Sequence, residues 1–429
     1  MSEQKEIQSD GSESSTDPEM YFEHLLFPNY IRQQDTVPMD NEVWKQLPHS
    51  LVESLLSRLP LCERVPLRPV CKSWSQADGA SGNFRGDADL QALPVMVGDS
   101  SLSIYNVRKN IWNQKSMRDV YLNDVVSAFE SSGGLILALT LHSAKLLVVH
   151  NPITRKSRYL LPPKSFMVPL ERERIMSSWN LVAPRARYLH DLALNYDGLT
   201  GLYRGMIGLV CDEERCKYHI IMACTKGDFD NVTHLYNSVT GEWSHGGQIP
   251  AGISFWYGGD NRIVCNGSLY CLVKGRFGHE GDPCCSLAKY DLSSNEWIVW
   301  PVPDFREGFY PFLVEHGKRV IFITQSPGGD SLHFYAINED ECWSRNSWKL
   351  IARMPKSLWS EFKTKADPLF TRCAGQKNLI YFTGRKRKGS GVVALVIDPT
   401  RGLYHWLPHL ADDHLVFQLR VYKPSLMPV

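Results

Sequence analysis

One short pattern recurs along most of the chain and limits the folds it can adopt. An apolar run ends in Tyr, Ile or His and is usually followed by Asn or Asp. An aromatic residue comes about seven or eight positions after the end of the run. The copies are Tyr105–Asn106…Trp112, His150–Asn151…Tyr159, Tyr236–Asn237…Trp243, Tyr290–Asp291…Trp297, Tyr335…Trp343 and Ile397–Asp398…Trp406. These aromatic residues are 47, 84, 54, 46 and 63 residues apart. Most intervals are close to the roughly 50-residue period of a propeller blade.

The segments around these copies have the character of short β-strands. From about residue 90 onward, apolar runs such as GLILALT, KLLVVHN and RVIFIT alternate with Gly, Asn, Asp and Pro turns. Glycine turns between strands are predicted at Gly133–Gly134, Asn266–Gly267, His316–Gly317 and Gly375. Strands alone allow a sandwich, a barrel or a propeller, and the repeat favours a propeller. Six blades are predicted, with five or seven as alternatives, and the long interval contains an insertion at 164–188.

A closed ring is expected because each blade is a sheet with two apolar faces that must be covered by its neighbours. The tryptophan of each outer strand is expected to pack between adjacent sheets. The C-terminal run FQLRVYKPSL (417–426) is one additional strand. We predict that it completes a blade with LPVMVG (93–98).

The N-terminal part differs in character. Residues 1–38 are predicted to be a disordered or linker segment, since the first 20 are polar and acidic. Between 41 and 85 the apolar residues follow a helical period, with leucines four residues apart at 47, 51, 55 and 59. A helical unit this small rarely holds a sufficient core alone. Its leucine face therefore suggests a partner protein, and an internal core helix is the alternative.

Composition removes several functional classes from consideration. The formal net charge of +1 does not favour nucleic acid or a membrane surface as a partner. No apolar run approaches the roughly 20 residues that span a bilayer, and the N-terminus lacks a signal-peptide pattern. The 11 cysteines are scattered without zinc-ligand spacing. We therefore expect no metal, no cofactor, and a location in the cytoplasm, the nucleus or both.

Residues 44–77 resemble an F-box. The matching positions are Leu47–Pro48, Leu51, Leu55–Leu56, Leu59–Pro60 and Val70–Cys71–Lys72–Ser73–Trp74. The downstream segments HLYNSVTGEWSHGGQIP, KYDLSSNEWIVWPVP and HNPITRKSRYLLPP resemble blades of plant-type F-box/kelch-repeat proteins. The resemblance implies a small all-α F-box followed, over residues 90–429, by an all-β kelch-type β-propeller.

That family resemblance also implies a function and partners. The F-box binds a Skp-type adaptor, through it a cullin and a RING subunit, and the propeller binds the protein to be ubiquitinated. The chain itself is then a non-catalytic ubiquitin ligase subunit. The implied adaptor-binding residues are Leu47, Pro48, Leu51, Leu55, Leu59, Pro60 and Trp74. Pro66 and Pro69 depart from the family pattern because they stand where it has helix-forming residues.

Two further motifs are weak candidates for substrate binding. Arg385–Lys386–Arg387–Lys388 suits an acidic segment or a nuclear localisation signal, and a solvated hairpin tip is the alternative. The second motif, Phe255–Trp256–Tyr257 followed by two glycines, suits a recognition pocket or core packing.

Two other functions are consistent with the pattern. A scaffold whose F-box has lost adaptor binding, through Pro66 and Pro69, would have the same fold. A propeller enzyme would need clustered metal ligands or paired carboxylates, and the sequence contains no H-E-x-x-H, phosphate-loop or G-x-S-x-G motif.

Overall fold

The computed structural model describes the larger part of the chain beyond residue 92 and a few residues before it. The described residues are 47–48, 50–51, 54, 93–98, 101–106, 111–116, 125–140, 147–163, 205–226, 229–255, 262–275, 284–303, 311–339, 347–368, 371–410 and 416–429, without 153, 155, 424 and 426. The chain divides into two compact units, Met1–Asn83 and Phe84–Val429. The predicted N-terminal segment 1–38 lies outside the described residues.

The second unit is a six-bladed β-propeller in which every blade is an antiparallel sheet. The first three blades contain β25(Val416–Tyr422), β1(Leu93–Gly98), β2(Ser101–Asn106) and β3(Ile111–Ser116); β4(Val125–Ser132), β5(Leu135–Thr140), β6(Leu147–Asn151) and β7(Lys156–Leu160); and β8(Gly205–Asp212), β9(Lys217–Lys226), β10(Phe229–Asn237) and β11(Glu242–His245).

The other three blades follow in chain order. They contain β12(Ser254–Phe255), β13(Arg262–Cys265), β14(Ser268–Gly275), β15(Cys284–Asp291) and β16(Glu296–Pro301); β17(Phe312–His316), β18(Arg319–Gln325), β19(Leu332–Ile337) and β20(Trp348–Arg353); and β21(Arg372–Gln376), β22(Leu379–Arg385), β23(Val392–Asp398) and β24(Leu403–Trp406). In blade 4 the inner edge is shared, because β12 and β13 both pair with β14. One helix, α1(Lys356–Lys365), lies between blades 5 and 6 in the chain.

The predicted ring closure is confirmed. The C-terminal strand β25 pairs antiparallel with β1, and the register runs from Leu93 opposite Tyr422 to Gly98 opposite Val416. The inner strands of neighbouring blades then contact one another all the way around the ring. Each blade thereby has a neighbour on both faces, which is what a sheet with two apolar faces requires.

The core of the propeller lies between blades rather than at one centre. The interface of blades 2 and 3 buries Leu137, Val149, Leu209 and Ile220. Comparable clusters lie between blades 3 and 4, 4 and 5, 5 and 6, and 6 and 1. Between blades 5 and 6 the helix α1 adds Leu358, Trp359 and Phe362, all of which are buried.

Tryptophans near the start of four outer strands connect neighbouring blades as predicted. Each indole Nε1–H donates a hydrogen bond to the preceding blade in the propeller. The indole therefore packs between two blades while its N–H group is satisfied. The bonds are Trp112 to Pro408 O at 2.9 Å, Trp243 to Leu161 O at 3.0 Å, Trp297 to Thr233 Oγ1 at 2.9 Å and Trp348 to Pro301 O at 2.7 Å.

The aromatic position was wrongly assigned in blades 2 and 5, whereas in blade 6 the predicted Trp406 does pack against the core between blades 5 and 6. The register pairs Tyr105, Tyr236 and Tyr290 with their tryptophans, but it pairs Ile337 with Trp348, so Trp348 and not Trp343 anchors blade 5. The connection between β19 and β20 is longer than the other turns between a third and an outer strand. The tryptophan that pairs with the end of β19 therefore comes later than the expected spacing. Trp343 lies outside the described residues.

In blades 2 and 6 the predicted aromatic residue lies two positions beyond the residue that pairs with the end of the third strand. In blade 2 the anchor position is Ser157, opposite His150, and the exposed Tyr159 lies opposite Val148. In blade 6 it is Tyr404, opposite Ile397, while Trp406 packs against the ring of Phe362 in α1. A shift of two residues keeps a side chain on the same face of a strand, so the spacing alone does not identify the position.

The glycine turns are confirmed in part. Gly133–Gly134 and Asn266–Gly267 join inner to second strands with positive φ at both residues, as type I′ hairpin turns require. In blade 5 the turn is Gly317–Lys318, one residue later than predicted. Gly375 lies within β21 rather than in a turn, and its missing side chain allows the close approach of the Glu315 carbonyl.

The recurrent Asn or Asp after the third strand forms the turn to the outer strand. Asn151 Oδ1 accepts the N–H of Thr154, and Asp291 Oδ1 accepts the N–H of Ser293. Hydrogen bonds from the Ser293 hydroxyl and from turn N–H groups lower the pKa of Asp291. Both residue types serve in this turn because only the acceptor oxygen is needed.

The C-terminal tail adds a second closure after β25. The buried amide of Asn151 donates to Ser425 O at 3.1 Å and to Met427 O at 2.6 Å. Met427 is buried against the interface of blades 2 and 3, and the Ser425 hydroxyl donates to Gly133 O. The last residues of the chain thus seal the gap between two blades.

Substitution of Gly375 by Ala tests the close contact between inner strands. The added Cβ would overlap the backbone of Glu315, so a strand must move. We expect Gly375→Ala to reduce the free energy of unfolding by about 3 kcal/mol, at the upper end for overpacking. The control Gly328→Ala adds a Cβ at ordinary contact distance and should leave stability nearly unchanged. Equal urea midpoints for both variants would contradict this packing.

Substitution of Asn151 by Asp tests the closure by the tail. The acceptor of the turn is kept, but both donors to the tail carbonyls are lost and a charge is placed against them. We expect a loss of about 2–4 kcal/mol in the free energy of unfolding. Asn237→Asp is the matched control, because Asp291 and Asp398 already occupy the equivalent turn position. Urea denaturation with equal losses for the two variants would count against the sealing role of the tail.

Candidate protein-interaction surfaces

The first surface is the start of the N-terminal helical segment. The N–H of Leu51 donates to the carbonyl of Pro48 at 2.9 Å, which forms a turn as the helix begins. Leu47 is half-buried and Pro48 is exposed. The side chain of Leu51 is 45% exposed, so part of it is accessible to a partner protein.

The remaining adaptor-binding predictions are not described by the structure. Leu55, Leu59, Pro60 and Trp74 lie outside the described residues, as do Pro66 and Pro69. These assignments stay predictions, and so does the suggestion that the two prolines weaken adaptor binding.

The second surface is one end of the propeller, where the longer connections gather. Because each blade is antiparallel, connections from one blade to the next and between second and third strands meet at this end. It carries the connections 161–204 and 354–371, the second of which contains α1, together with the β22–β23 connection. The opposite end carries tight turns such as Gly133–Gly134 and Asn266–Gly267. We call the first the long-loop end and the second the short-turn end.

The basic run Arg385–Lys388, which we call the basic hairpin, lies at the long-loop end between β22 and β23. Its backbone is joined to the C-terminal end of α1, since the N–H of Arg387 donates to Lys365 O at 3.0 Å. Arg387 Nε also donates to Ala366 O at 3.3 Å. Cationic groups are favourable at the carbonyl end of a helix, so this part of the run has a structural role.

The aromatic motif is only partly described. Phe255 is buried, and its ring centroid lies 5.8 Å from that of Trp297, a typical contact within a core. The core-packing interpretation therefore holds for this residue. Trp256 and Tyr257 lie outside the described residues, and they stay weak candidates for substrate binding.

A third feature is the central channel, which opens at the short-turn end. It is a cavity of about 920 Å³ lined by the inner strands of all six blades. Glu130 and Arg262 project into it from blades 2 and 4, with Glu130 Oε2 3.5 Å from Arg262 Nε. The two residues are only 7% and 8% exposed, so they form a buried ion pair across the ring.

Burial dominates the electrostatics of the channel wall. It raises the pKa of the Glu315 carboxyl above its ordinary value, although Lys318 and Lys423 act against this. It also raises the pKa of the Cys211 thiol to about 12, so this cysteine is an unreactive neutral thiol. The channel is therefore a place where unpaired charge is unfavourable.

Among the residues that the structure describes, His, Cys, Asp and Glu form no group of three that is placed to hold a metal ion. The described helices include none that is long and apolar enough to cross a bilayer.

The sequence pattern missed two of these features. Helix α1 was not predicted, although Leu358, Trp359 and Phe362 follow helical spacing after Pro355. The Glu130–Arg262 pair joins residues far apart in the chain, and no local pattern indicates that two opposite charges will meet.

Comparison with known proteins identifies the N-terminal unit. Residues 44–77 match the F-box domain family, which lies inside the predicted range 41–85. F-box domains bind Skp-type adaptors. The chain therefore consists of an F-box domain followed by a six-bladed β-propeller, and the predicted fold class is confirmed at that level.

Longer similarities extend over both units. The chain is 23% identical to "F-box only protein 6" of Arabidopsis thaliana, over 82% of this chain and 67% of that protein. It is 24% identical to "F-box protein At5g49610" of the same plant, over 78% and 82% respectively. It is also 22% identical to the A. thaliana "Protein UNUSUAL FLORAL ORGANS", over 86% and 80%.

A double-mutant cycle tests the ion pair across the channel. Arg262→Met leaves the Glu130 carboxylate buried without its partner, and we expect a loss of about 3–5 kcal/mol in the free energy of unfolding. Adding Glu130→Gln should recover most of that loss, because no buried charge remains. Urea denaturation gives both values. Additive losses in the double variant would show that the two groups are not coupled.

Proposed function

We propose that this chain is the substrate receptor of a Skp-cullin-F-box ubiquitin ligase, with a kelch-type propeller. The F-box would bind the Skp-type adaptor, and the propeller would bind the protein to be ubiquitinated. The observation that carries the proposal is the order of the two units: an adaptor-binding domain at 44–77 precedes a rigid propeller. Such a chain contributes proximity, since it raises the effective concentration of a target lysine near the transfer machinery.

The exposed Leu51 supports the adaptor half of the proposal. A leucine on the first turns of a small helical unit loses little by being covered and gains by leaving water. Burying such a side chain is worth about 1.5–3 kcal/mol. The cullin and RING subunits would then be reached through the adaptor rather than through this chain.

The propeller supports the substrate half. Its six sheets hold the longer connections at one end, and binding specificity is commonly carried by loops on a rigid scaffold. The same scaffold supports the alternatives of an inert F-box scaffold or a propeller enzyme. The exposed Leu51 and the open cavity beside the basic hairpin are the observations that favour the receptor. We further propose that the protein acts in the cytoplasm, the nucleus or both.

Charge substitution of Leu51 tests this function. We expect Leu51→Asp in the full chain to weaken binding of a purified Skp-type adaptor at least tenfold, since the lost burial exceeds 1.4 kcal/mol. Val239→Asp is the matched control, because Val239 is an equally apolar exposed residue on a propeller turn. Isothermal titration measures both affinities.

The receptor role would be refuted by either of two results. The first is that the wild-type chain binds none of the Skp-type adaptors tested, as an inert scaffold would. The second is that Leu51→Asp and Val239→Asp both bind with the affinity of the wild type, in which case this helix is not the adaptor surface.

A further inference from the structure

The basic hairpin presents a concentrated positive charge on a fixed frame. Besides the two bonds from Arg387 to the end of α1, the N–H of Lys386 donates to Gly391 O at 3.0 Å. The N–H of Asp367 donates to Arg385 O at 2.8 Å. The backbone on both sides is therefore held in place, and little conformational entropy remains to be lost when a partner binds.

Interactions within the fold account for only part of the basic run Arg385–Lys388. Arg387 satisfies carbonyls at the end of α1, as described above. Lys386 and Lys388 make no ion pair with any acidic side chain that the structure describes. Glu361 and Asp330 are engaged elsewhere, with Glu361 Oε1 2.6 Å from Lys365 Nζ and Asp330 Oδ2 2.5 Å from Lys356 Nζ. Four successive like charges on one hairpin repel one another, which by itself costs stability.

The space beside the hairpin is suited to a ligand. Arg385, Lys386, Arg387, Gly389 and Asp367 line a cavity of about 450 Å³ that is open to solvent. Three of these residues belong to the connection, Arg385 is the last residue of β22, and Asp367 follows α1. A fixed cationic rim around an open cavity provides several donors to carboxylate or phosphate oxygens at once.

The size of the basic surface distinguishes between classes of anionic partner. The run of four basic residues stands on one hairpin, whereas the whole chain has a net charge of only +1. A nucleic acid requires a longer basic track to displace its counterions.

We propose that the basic hairpin and its cavity bind an acidic segment of a partner protein, rich in carboxylates or phosphorylated. This proposal rests on the proposed receptor function, for which it specifies the chemistry of the substrate segment. The segment would lie along the long-loop end, with its acidic side chains against Lys386 and Lys388.

Peptide binding to the full chain tests this site. The probe is a short fluorescein-labelled peptide of alternating Asp and Ser, compared with its Asn/Ser counterpart and with a phosphoserine version. Fluorescence anisotropy at low and high salt gives the affinities. We expect the Asp or phosphoserine peptide to bind, the Asn peptide not to bind, and affinity to fall with salt.

The variant Lys386→Gln/Lys388→Gln should weaken binding of the acidic peptide roughly tenfold, as two exposed charge pairs are lost. Arg215→Gln/Lys349→Gln is the matched control, because it removes the same charge from exposed positions elsewhere on the propeller. Both variants should retain binding to the Skp-type adaptor. That second measurement separates this site from the receptor function, which fails only if adaptor binding fails.

Three results would overturn the proposal. The first is that the acidic and Asn peptides bind equally or not at all. The second is that the hairpin variant binds the acidic peptide as well as the control variant does. The third is that a single-stranded oligonucleotide binds the hairpin while the acidic peptides do not, which would assign the site to nucleic acid.

Discussion

The pairing of β25 with β1 is the interaction on which the rest of the propeller depends. Each blade has two apolar faces, so an open row of six sheets would leave two faces in water. Joining the last strand of the chain to the first strand of the propeller covers both. The tail beyond β25 adds to this closure, because Asn151 and the interface of blades 2 and 3 hold its backbone and Met427.

Much of this frame could be predicted from the sequence, because the frame repeats. Tyr105, Tyr236 and Tyr290 lie opposite their tryptophans at one constant spacing, and the strand that closes the ring follows from the need to complete a blade. The predictions were wrong where spacing alone had to identify a position. Trp348 anchors blade 5 because its turn is longer, and Gly375 proved to be a close contact between strands rather than a turn.

The functional surfaces were harder to predict, for a physical reason. The Glu130–Arg262 pair joins residues of two different blades that only the folded ring brings together, and the cavity beside the basic hairpin depends on how α1 packs against that hairpin. The sequence indicated the charge of residues 385–388, but not that the end of α1 holds their backbone while Lys386 is half-buried and Lys388 is exposed. For the F-box the situation is reversed, because a compact local motif identifies the domain.

The proposed receptor would use two surfaces: the F-box domain with the exposed Leu51 for the adaptor, and the charged long-loop end for the target. The most direct test is proximity labelling in cells with the full chain fused to a biotin ligase, with and without proteasome inhibition. The receptor account predicts labelling of a Skp-type adaptor and a cullin under both conditions. It also predicts a small set of proteins whose labelling rises on inhibition and whose ubiquitination falls with Leu51→Asp. If neither adaptor nor cullin is labelled and no protein responds to inhibition, the chain is not a ubiquitin ligase receptor.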